Sequence, residues 1–275
     1  MTPNAKTPPP NLRQALVRTA IDLGVDPSDH ERAFLLAQLG DLFRRERRFR
    51  DRIAFKGGTV MRLADNSPRL SKDLDGVDLQ AHGVTADDVT NVIRKASFVR
   101  GFGRPVRGID RLVFNNIECN TQSGHKTQVK LTIHWVEKPL CQTETLNVTL
   151  PSEEIATMRI LALRERAAEK VRAFIDRQLG RDAFDLWYYA AFRLKRSDWV
   201  ELPNLIAAKL QRSDRLKAGD AVPAAFDNAV AQIQKEWDPA QDFILVEDPP
   251  DLPAVIDQVK RFRETLPEIV PAVRS

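Results

Sequence analysis

The chain has 275 residues, 43% hydrophobic and 29% charged, with a formal net charge of +4. That length suits one large domain or two small ones with a real core, and the composition excludes a wholly disordered or collagen-like chain. No run nears the roughly eighteen apolar residues that read as a membrane helix, and residues 1–10 lack an apolar signal core, so no membrane partner is expected and the cytoplasm is the expected location. Cys119 and Cys141 are too few for a disulfide framework and lack zinc-site spacing. His30, His82, His125 and His134 are dispersed. Any metal is therefore expected on oxygen ligands.

Residues 1–10, rich in proline, read as a mobile tail. Leu12, Leu16, Ala20 and Leu23 recur at helical spacing, and a second amphipathic helix is predicted from about Ser28 to Arg48. Its end carries Arg44, Arg45, Arg47 and Arg48, followed by Arg50 and Arg52. Such a cluster is either a solvated helix end that complements the dipole or a patch for a polyanion. Ile53-Ala54-Phe55 reads as a short strand, broken by Gly57-Gly58 before a short helix over Thr59–Ala64. Asp73 to Leu79 is strand-like, and Thr85-Ala86-Asp87-Asp88 has the form of a capping box that opens a helix to about Ala96. Strands are predicted over Leu112–Glu118 and Gln128–Val136. Helices are predicted over Leu161–Gln178, Arg181–Leu194, Pro223–Gln234 and Pro253–Leu266. The fold class is α+β, with an α/β core over 11–150 and a helical C-terminal region over 151–275, joined near Pro151-Ser152.

Two segments carry chemistry. Lys56-Gly57-Gly58-Thr59 places two glycines between a strand and a helix, where the backbone can approach a ligand closely and its amides suit a phosphate; a plain turn is the bland alternative. Arg69-Leu70-Ser71-Lys72-Asp73-Leu74-Asp75 follows. In an extended strand Asp73 and Asp75 share a face while Leu74 points into the core. Two adjacent carboxylates suit a divalent cation, Mg2+ or Mn2+, in phosphoryl or nucleotidyl transfer, or else form the acidic edge of a solvated strand. Asp78 has the opposite parity and reads as structural or exposed.

Together, the glycine turn and the Asp-x-Asp strand resemble the nucleotidyltransferase signature of the DNA polymerase β-like superfamily. With Glu169-Lys170-Val171-Arg172-Ala173 and Arg181-Asp182-Ala183-Phe184-Asp185 in the same order, the chain resembles the AbiEii/AbiGii toxin family, which includes the mycobacterial MenT toxins. The resemblance spans about residues 30–265. It implies a polymerase β-like core and a Mg2+-dependent enzyme that moves a nucleotide from an NTP to an acceptor, expected to be the 3' end of tRNA, blocking translation under the control of a cognate antitoxin. By resemblance, Asp73 and Asp75 bind metal, and Gly57, Gly58, Ser71 and Lys170 hold the triphosphate, with Lys56 and Thr59 in the same turn. Asp182 positions or deprotonates the acceptor. Asp185, on its helical face, is a further candidate for substrate binding.

The family pattern is departed from at one place. Polymerase β-like enzymes supply a third carboxylate from a later strand, and here that position falls on Thr132, within Val129-Lys130-Leu131-Thr132-Ile133-His134-Trp135. A threonine does not replace a carboxylate as ligand or base, so Asp182 completes the site or a second metal is weak or absent. Lys130 and His134 share the face of Thr132, and either can reach phosphate or the attacking group. Two other functions stay open on these residues: a nucleotidyltransferase with a small-molecule acceptor, and a non-catalytic nucleic-acid-binding module of the same fold.

Overall fold

The computed structural model describes residues 10–80, 83–135, 138–237 and 250–272, which fall in two compact units, Met1–Leu161 and Ala162–Ser275. Of the expected tail, residues 1–9 lie outside the described residues, and Pro10 already begins the first helix.

In the N-terminal unit, helix α1 (Pro10–Asp22) leads to α2 (Pro27–Arg45). Helix α2 starts where it does because the Asp26 carboxylate accepts the Ser28 amide at 2.7 Å and Pro27 suits the first helical position. It buries Leu35, Leu36, Leu39 and Phe43 in the main core. At Gly40 a Cβ would lie only 2.8 Å from the Met158 side chain, so the helix packs there by its backbone. After β1 (Ile53–Lys56) come α3 (Gly57–Asp65), β2 (Asp73–Asp78) and α4 (Ala86–Arg94). Thr85 caps α4 by accepting the Asp88 amide at 3.1 Å. The remaining strands are β3 (Val99–Gly101), β4 (Val106–Arg107), β5 (Arg111–Asn120), β6 (Lys126–His134), β7 (Glu144–Thr149) and β8 (Ile155–Ile160).

These strands form one mixed sheet in the order β3-β5-β6-β2-β1-β8-β7, with β4 also paired to β5. The β2–β6 and β1–β8 pairs are parallel, and the others are antiparallel. Leu74, Leu112, Phe114, Leu131 and Ile133 all point to the core shared with α2 and α4. The hairpin β7–β8 extends the sheet, so the first unit ends at Leu161, after β8, and not at the Pro151-Ser152 pair.

Asp78, at the end of β2, is fully buried, so of the two readings its parity allowed, the structural one holds. Arg52 donates from Nε and Nη2 to the two carboxylate oxygens at 2.8 and 2.7 Å and to the Gly83 carbonyl at 2.8 Å. The Asp78 hydrogen bonds raise the Arg52 pKa against the opposing effect of burial.

The C-terminal unit contains α5 (Leu163–Arg177), α6 (Gly180–Tyr188), a π-helical turn (Tyr189–Arg193), α7 (Arg196–Leu210), α8 (Val222–Glu236) and α9 (Leu252–Arg263). Helix α5 packs on α7, and α6 on α9. Edge-on ring contacts such as Phe174–Phe226, with centroids 5.2 Å apart, fill its core. Between α5 and α7 the buried Lys209 ammonium lies 2.7 Å from both Glu165 and Glu169. Burial pulls the Lys209 pKa down, but the Glu169 and Glu165 carboxylates outweigh it and hold the pKa above the ordinary value of 10.5.

Two outcomes follow. Arg52→Met leaves the Asp78 carboxylate buried and unpaired, and denaturant unfolding should register a loss of about 3 kcal/mol; a loss under about 0.5 kcal/mol, the range of ordinary surface changes, refutes the bridge as a structural tie. Because the folded-state pKa of Lys209 is raised, its contribution is complete below 10.5 and disappears as pH climbs through the higher folded value. The stability gap between wild type and Lys209→Met should therefore be constant through the neutral range and narrow only in strong alkali.

Candidate active site

The site in the N-terminal unit begins with register. Antiparallel pairing of β1 with β2 sets Lys56 opposite Asp75, and parallel pairing of β2 with β6 sets Asp73 beside Lys130 and Asp75 beside Thr132. Since side chains alternate along a strand, Asp73, Asp75, Lys130 and Thr132 stand on one face of the sheet, while Leu74 and Leu131 enter the core on the other. Lys130 Nζ is 4.0 Å from Asp73 Oδ2. Both side chains are about half exposed, so the pair is water-screened and worth little to stability.

The glycine pair is the start of α3. Gly57 has φ +87°, a backbone conformation that L side chains avoid, and a Cβ there would lie 2.7 Å from Asp75 Oδ2. The carboxylate of Asp75 thus occupies the space that a side chain at 57 would need. A Cβ on Gly58 would lie 2.6 Å from Arg69 Nη2 and 3.0 Å from Ser71 Oγ. Thr59 Oγ1 donates to the Asp73 carbonyl at 2.6 Å and Ser71 Oγ donates to the same oxygen at 3.4 Å, which ties the helix start to β2. No side chain caps the first turn of α3. Its amides, at the positive end of the helix, therefore face the carboxylate-bearing edge without a capping acceptor.

The predicted residues Lys56, Gly57, Gly58, Thr59, Ser71, Asp73, Asp75 and Lys130 thus come together in one unit. Thr132, the position at which the resemblance leads one to expect a third carboxylate, lies directly beside Asp75. Among the described residues no group of three or more His, Cys, Asp or Glu is arranged to hold a metal ion.

Lys170, Asp182 and Asp185 come together in the C-terminal unit. Lys170 Nζ is 2.6 Å from Asp185 Oδ2 and 3.8 Å from Asp182 Oδ1, and Arg177 donates to the same Asp182 oxygen at 2.6 Å. The two aspartates share a helical face as expected, and they meet Lys170 and Arg177. Asp182 Oδ2 is buried without a hydrogen-bond partner among the described residues. Glu169 pairs with Lys209 and with Arg172, whose Nη2 donates at 2.9 Å. The motif around Lys170 is therefore partly a packing device, which its sequence did not reveal because Lys209 lies on another helix.

The arginine cluster is half neutralised. Arg45 pairs with Asp41 at 2.6 Å, Arg48 with Asp88, and Arg52 with Asp78. Arg47 and Arg50 are exposed.

The sequence profile of the AbiEii nucleotidyltransferase toxins, a type IV toxin-antitoxin system, matches residues 41–267. The chain belongs to this family. All four motifs lie inside the matched span, and the chain is accordingly a nucleotidyltransferase of the toxin class. No curated protein matches it significantly. Among solved structures it is similar to MenT4, a nucleotidyltransferase toxin of Mycobacterium tuberculosis H37Rv, at 20% identity and TM-score 0.65, over 92% of this chain and 88% of that one. It is also similar to a Helicobacter pylori protein described as a nucleotidyltransferase, at 15% identity and TM-score 0.59 over 87% and 95% of the two chains. A third similar structure is JHP933 of Helicobacter pylori, at 15% identity and TM-score 0.56 over 85% and 89%. At these identities the likeness concerns the fold, which is the expected α+β nucleotidyltransferase arrangement. No described helix is long and apolar enough to cross a membrane.

The contact at Gly57 yields a direct test. Gly57→Ala combines a left-handed backbone with a clash against Asp75, so it should cost about 2 kcal/mol in thermal or denaturant unfolding and depress nucleotide transfer more than that loss explains. An alanine variant with unchanged stability and turnover removes the close approach from the mechanism.

Proposed function

We propose that this toxin transfers a nucleotide from an NTP to the 3' end of a tRNA, releasing pyrophosphate and so blocking aminoacylation, and that a cognate antitoxin restrains it. The observation that carries this reading is the Asp73–Asp75 pair on one strand face, with the Asp75 carboxylate against the uncapped start of α3 at Gly57. In the reaction the acceptor hydroxyl oxygen forms a bond to the α-phosphorus, the bond from that phosphorus to the pyrophosphate oxygen breaks, and the hydroxyl proton passes to a base.

Asp73 and Asp75 would hold Mg2+ or Mn2+. The donor set is suitable, because Mg2+ is commonly held by one or two carboxylates together with substrate phosphates, and two carboxylates are what this face offers. When bound, such an ion neutralises charge on the reacting phosphates. The chain's own groups do the rest. Amides of the first turn of α3, the Ser71 hydroxyl and the cations Lys56 and Lys130 suit the triphosphate. Lys170 is proposed to contact the triphosphate, and Asp182, whose Oδ2 is an unsatisfied acceptor, to take or orient the acceptor proton, with Asp185 fixing the Lys170 ammonium. The neutralised half of the arginine cluster favours one second reading, a small-molecule acceptor, which needs no extended basic surface.

Incubation with total tRNA and each labelled NTP in turn tests the proposal. Label should enter tRNA from at least one NTP, and chelator should abolish it. Asp73→Asn, Asp75→Asn and Asp182→Asn should each lower incorporation by about a hundredfold or more while far-ultraviolet circular dichroism is unchanged. Transfer that survives excess chelator overturns the metal assignment, and label that appears only on small molecules overturns tRNA as acceptor.

A further inference from the structure

The C-terminal unit carries a groove of about 470 Å³, within the range of about 300–1,000 Å³ usual for ligand sites, lined by Trp187, Ala191, Phe192, Asp257, Gln258 and Arg261. None of these residues belongs to a recognised motif. Yet two large aromatic side chains border open space, and Phe192 is 60% exposed. The cause is local: the chain from Tyr189 to Arg193 runs as a π-helical turn, a rare geometry frequent at functional sites. Tyr189 is buried while Phe192 is left outside. The Trp187 and Phe192 rings meet edge to face, with centroids 5.2 Å apart and planes at 80°, so each ring's own orientation is fixed by the other.

The opposite wall is polar and held in place. Arg261 Nη1 donates to the Ala190 carbonyl at 3.1 Å and to Gln258 Oε1 at 2.9 Å, and the guanidinium lies 4.7 Å over the Trp199 ring. Gln258 Nε2 in turn donates to Asp257 at 3.1 Å. Such a wall offers both a donor and an acceptor to the edge of a planar ligand. Lys195 and Arg196, three and four residues after Phe192, and Lys260, next to Arg261 in the chain, are exposed, as is Arg261 itself, and cations near an exposed aromatic ring complement a phosphate backbone carrying unpaired bases.

We propose that this groove binds an unpaired base of a single-stranded RNA acceptor, which stacks on the exposed Phe192 ring, braced edge to face by Trp187, while Lys195 and Arg196 meet the flanking phosphates. The assignment rests on the reading that the acceptor is RNA. Bases of a duplex are already stacked and paired, so the groove selects single strands.

Fluorescence anisotropy of the full chain with a fluorescein-labelled single-stranded RNA about eight nucleotides long, within the span such surfaces cover, tests it. Phe192→Ala should weaken binding about five- to hundredfold with an unchanged salt slope, and Phe192→Tyr should restore it. Because Phe192 is largely exposed, its thermal unfolding should match wild type, which keeps the comparison interpretable. Lys195→Gln with Arg196→Gln should instead flatten the salt slope by about 1.4 units. Equal RNA affinity for wild type and Phe192→Ala overturns the groove alone. Failure of wild type to bind the RNA at all overturns both the groove and the RNA reading. In a parallel titration with the four NTPs, a loss of NTP affinity in Phe192→Ala without loss of RNA affinity makes this a donor-base site and overturns the acceptor assignment.

Discussion

The Asp75 carboxylate lies where a side chain on Gly57 would be, and the arrangement of the N-terminal site depends on that contact. It requires three separate features to agree: β1 and β2 in antiparallel register so that Lys56 faces Asp75, a residue at 57 able to hold φ +87°, and a helix that starts at once without a capping side chain. A slip of β2 by one residue would present Leu74 at the helix start and drive two carboxylates into the apolar core, at a desolvation cost far above anything the sheet gains elsewhere. The core side of β2, where Leu74 is fully buried, thus enforces the register on which the polar side relies.

In the C-terminal unit charge, not backbone geometry, does the equivalent work. Lys209 joins Glu165 to Glu169, and Lys170 joins Asp185 to Asp182, so one face of α5 is tied to α7 and another to α6. Buried ion pairs of this kind rarely add stability over an apolar replacement, because both partners lose their hydration. Their effect is selective: a mispacked helix leaves an uncompensated buried charge. Adjacent residues in the Glu169-Lys170 motif consequently point into two different networks, one that fixes the helices and one that contains the candidate catalytic groups.

Much of this was readable locally. Alternation alone set Asp73 and Asp75 on one face and Leu74 on the other, and the break at Gly57-Gly58 marked the strand-to-helix junction, although the helix begins at the glycines rather than at Thr59. The unforeseen elements have physical reasons. Helix α7 contains Pro203, which argues against a helix in sequence, and the short strands β3 and β4 and the edge strand β7 carry mixed or exposed residues that show no clear period, while β8, paired on both sides, is a six-residue strand whose alternation of Ala156, Met158 and Ile160 is brief. The partners of Arg52, Arg48 and Lys209 lie 26 to 44 residues away or on other elements, so the pairing of Arg48 and Arg52 was invisible until the chain folded, whereas Arg45 meets Asp41 one turn back on the same helix. The π-helical turn that exposes Phe192 has no sequence signal at all in the helical pattern of Arg181–Leu194.

Thr132 bears on how the proposed reaction would be organised. It stands beside Asp75 in the register where a third carboxylate is expected, it carries no charge, and its neighbour on the same face is Lys130, 4.0 Å from Asp73. Two carboxylates therefore share this edge with the cations Lys130, Lys56 opposite Asp75, and Arg69 beside Gly58, which makes it a weak trap for a free divalent cation. A third carboxylate would have deepened that trap and also increased repulsion against an incoming triphosphate. With two, on the proposed reading, most of the affinity for the ion comes from the phosphate oxygens of the nucleotide, so ion and NTP arrive as one ligand. On the same proposal Lys130 would do more than balance charge: near Asp73 without nucleotide, it would turn to the phosphates when they bind, since both side chains are exposed enough to reorient.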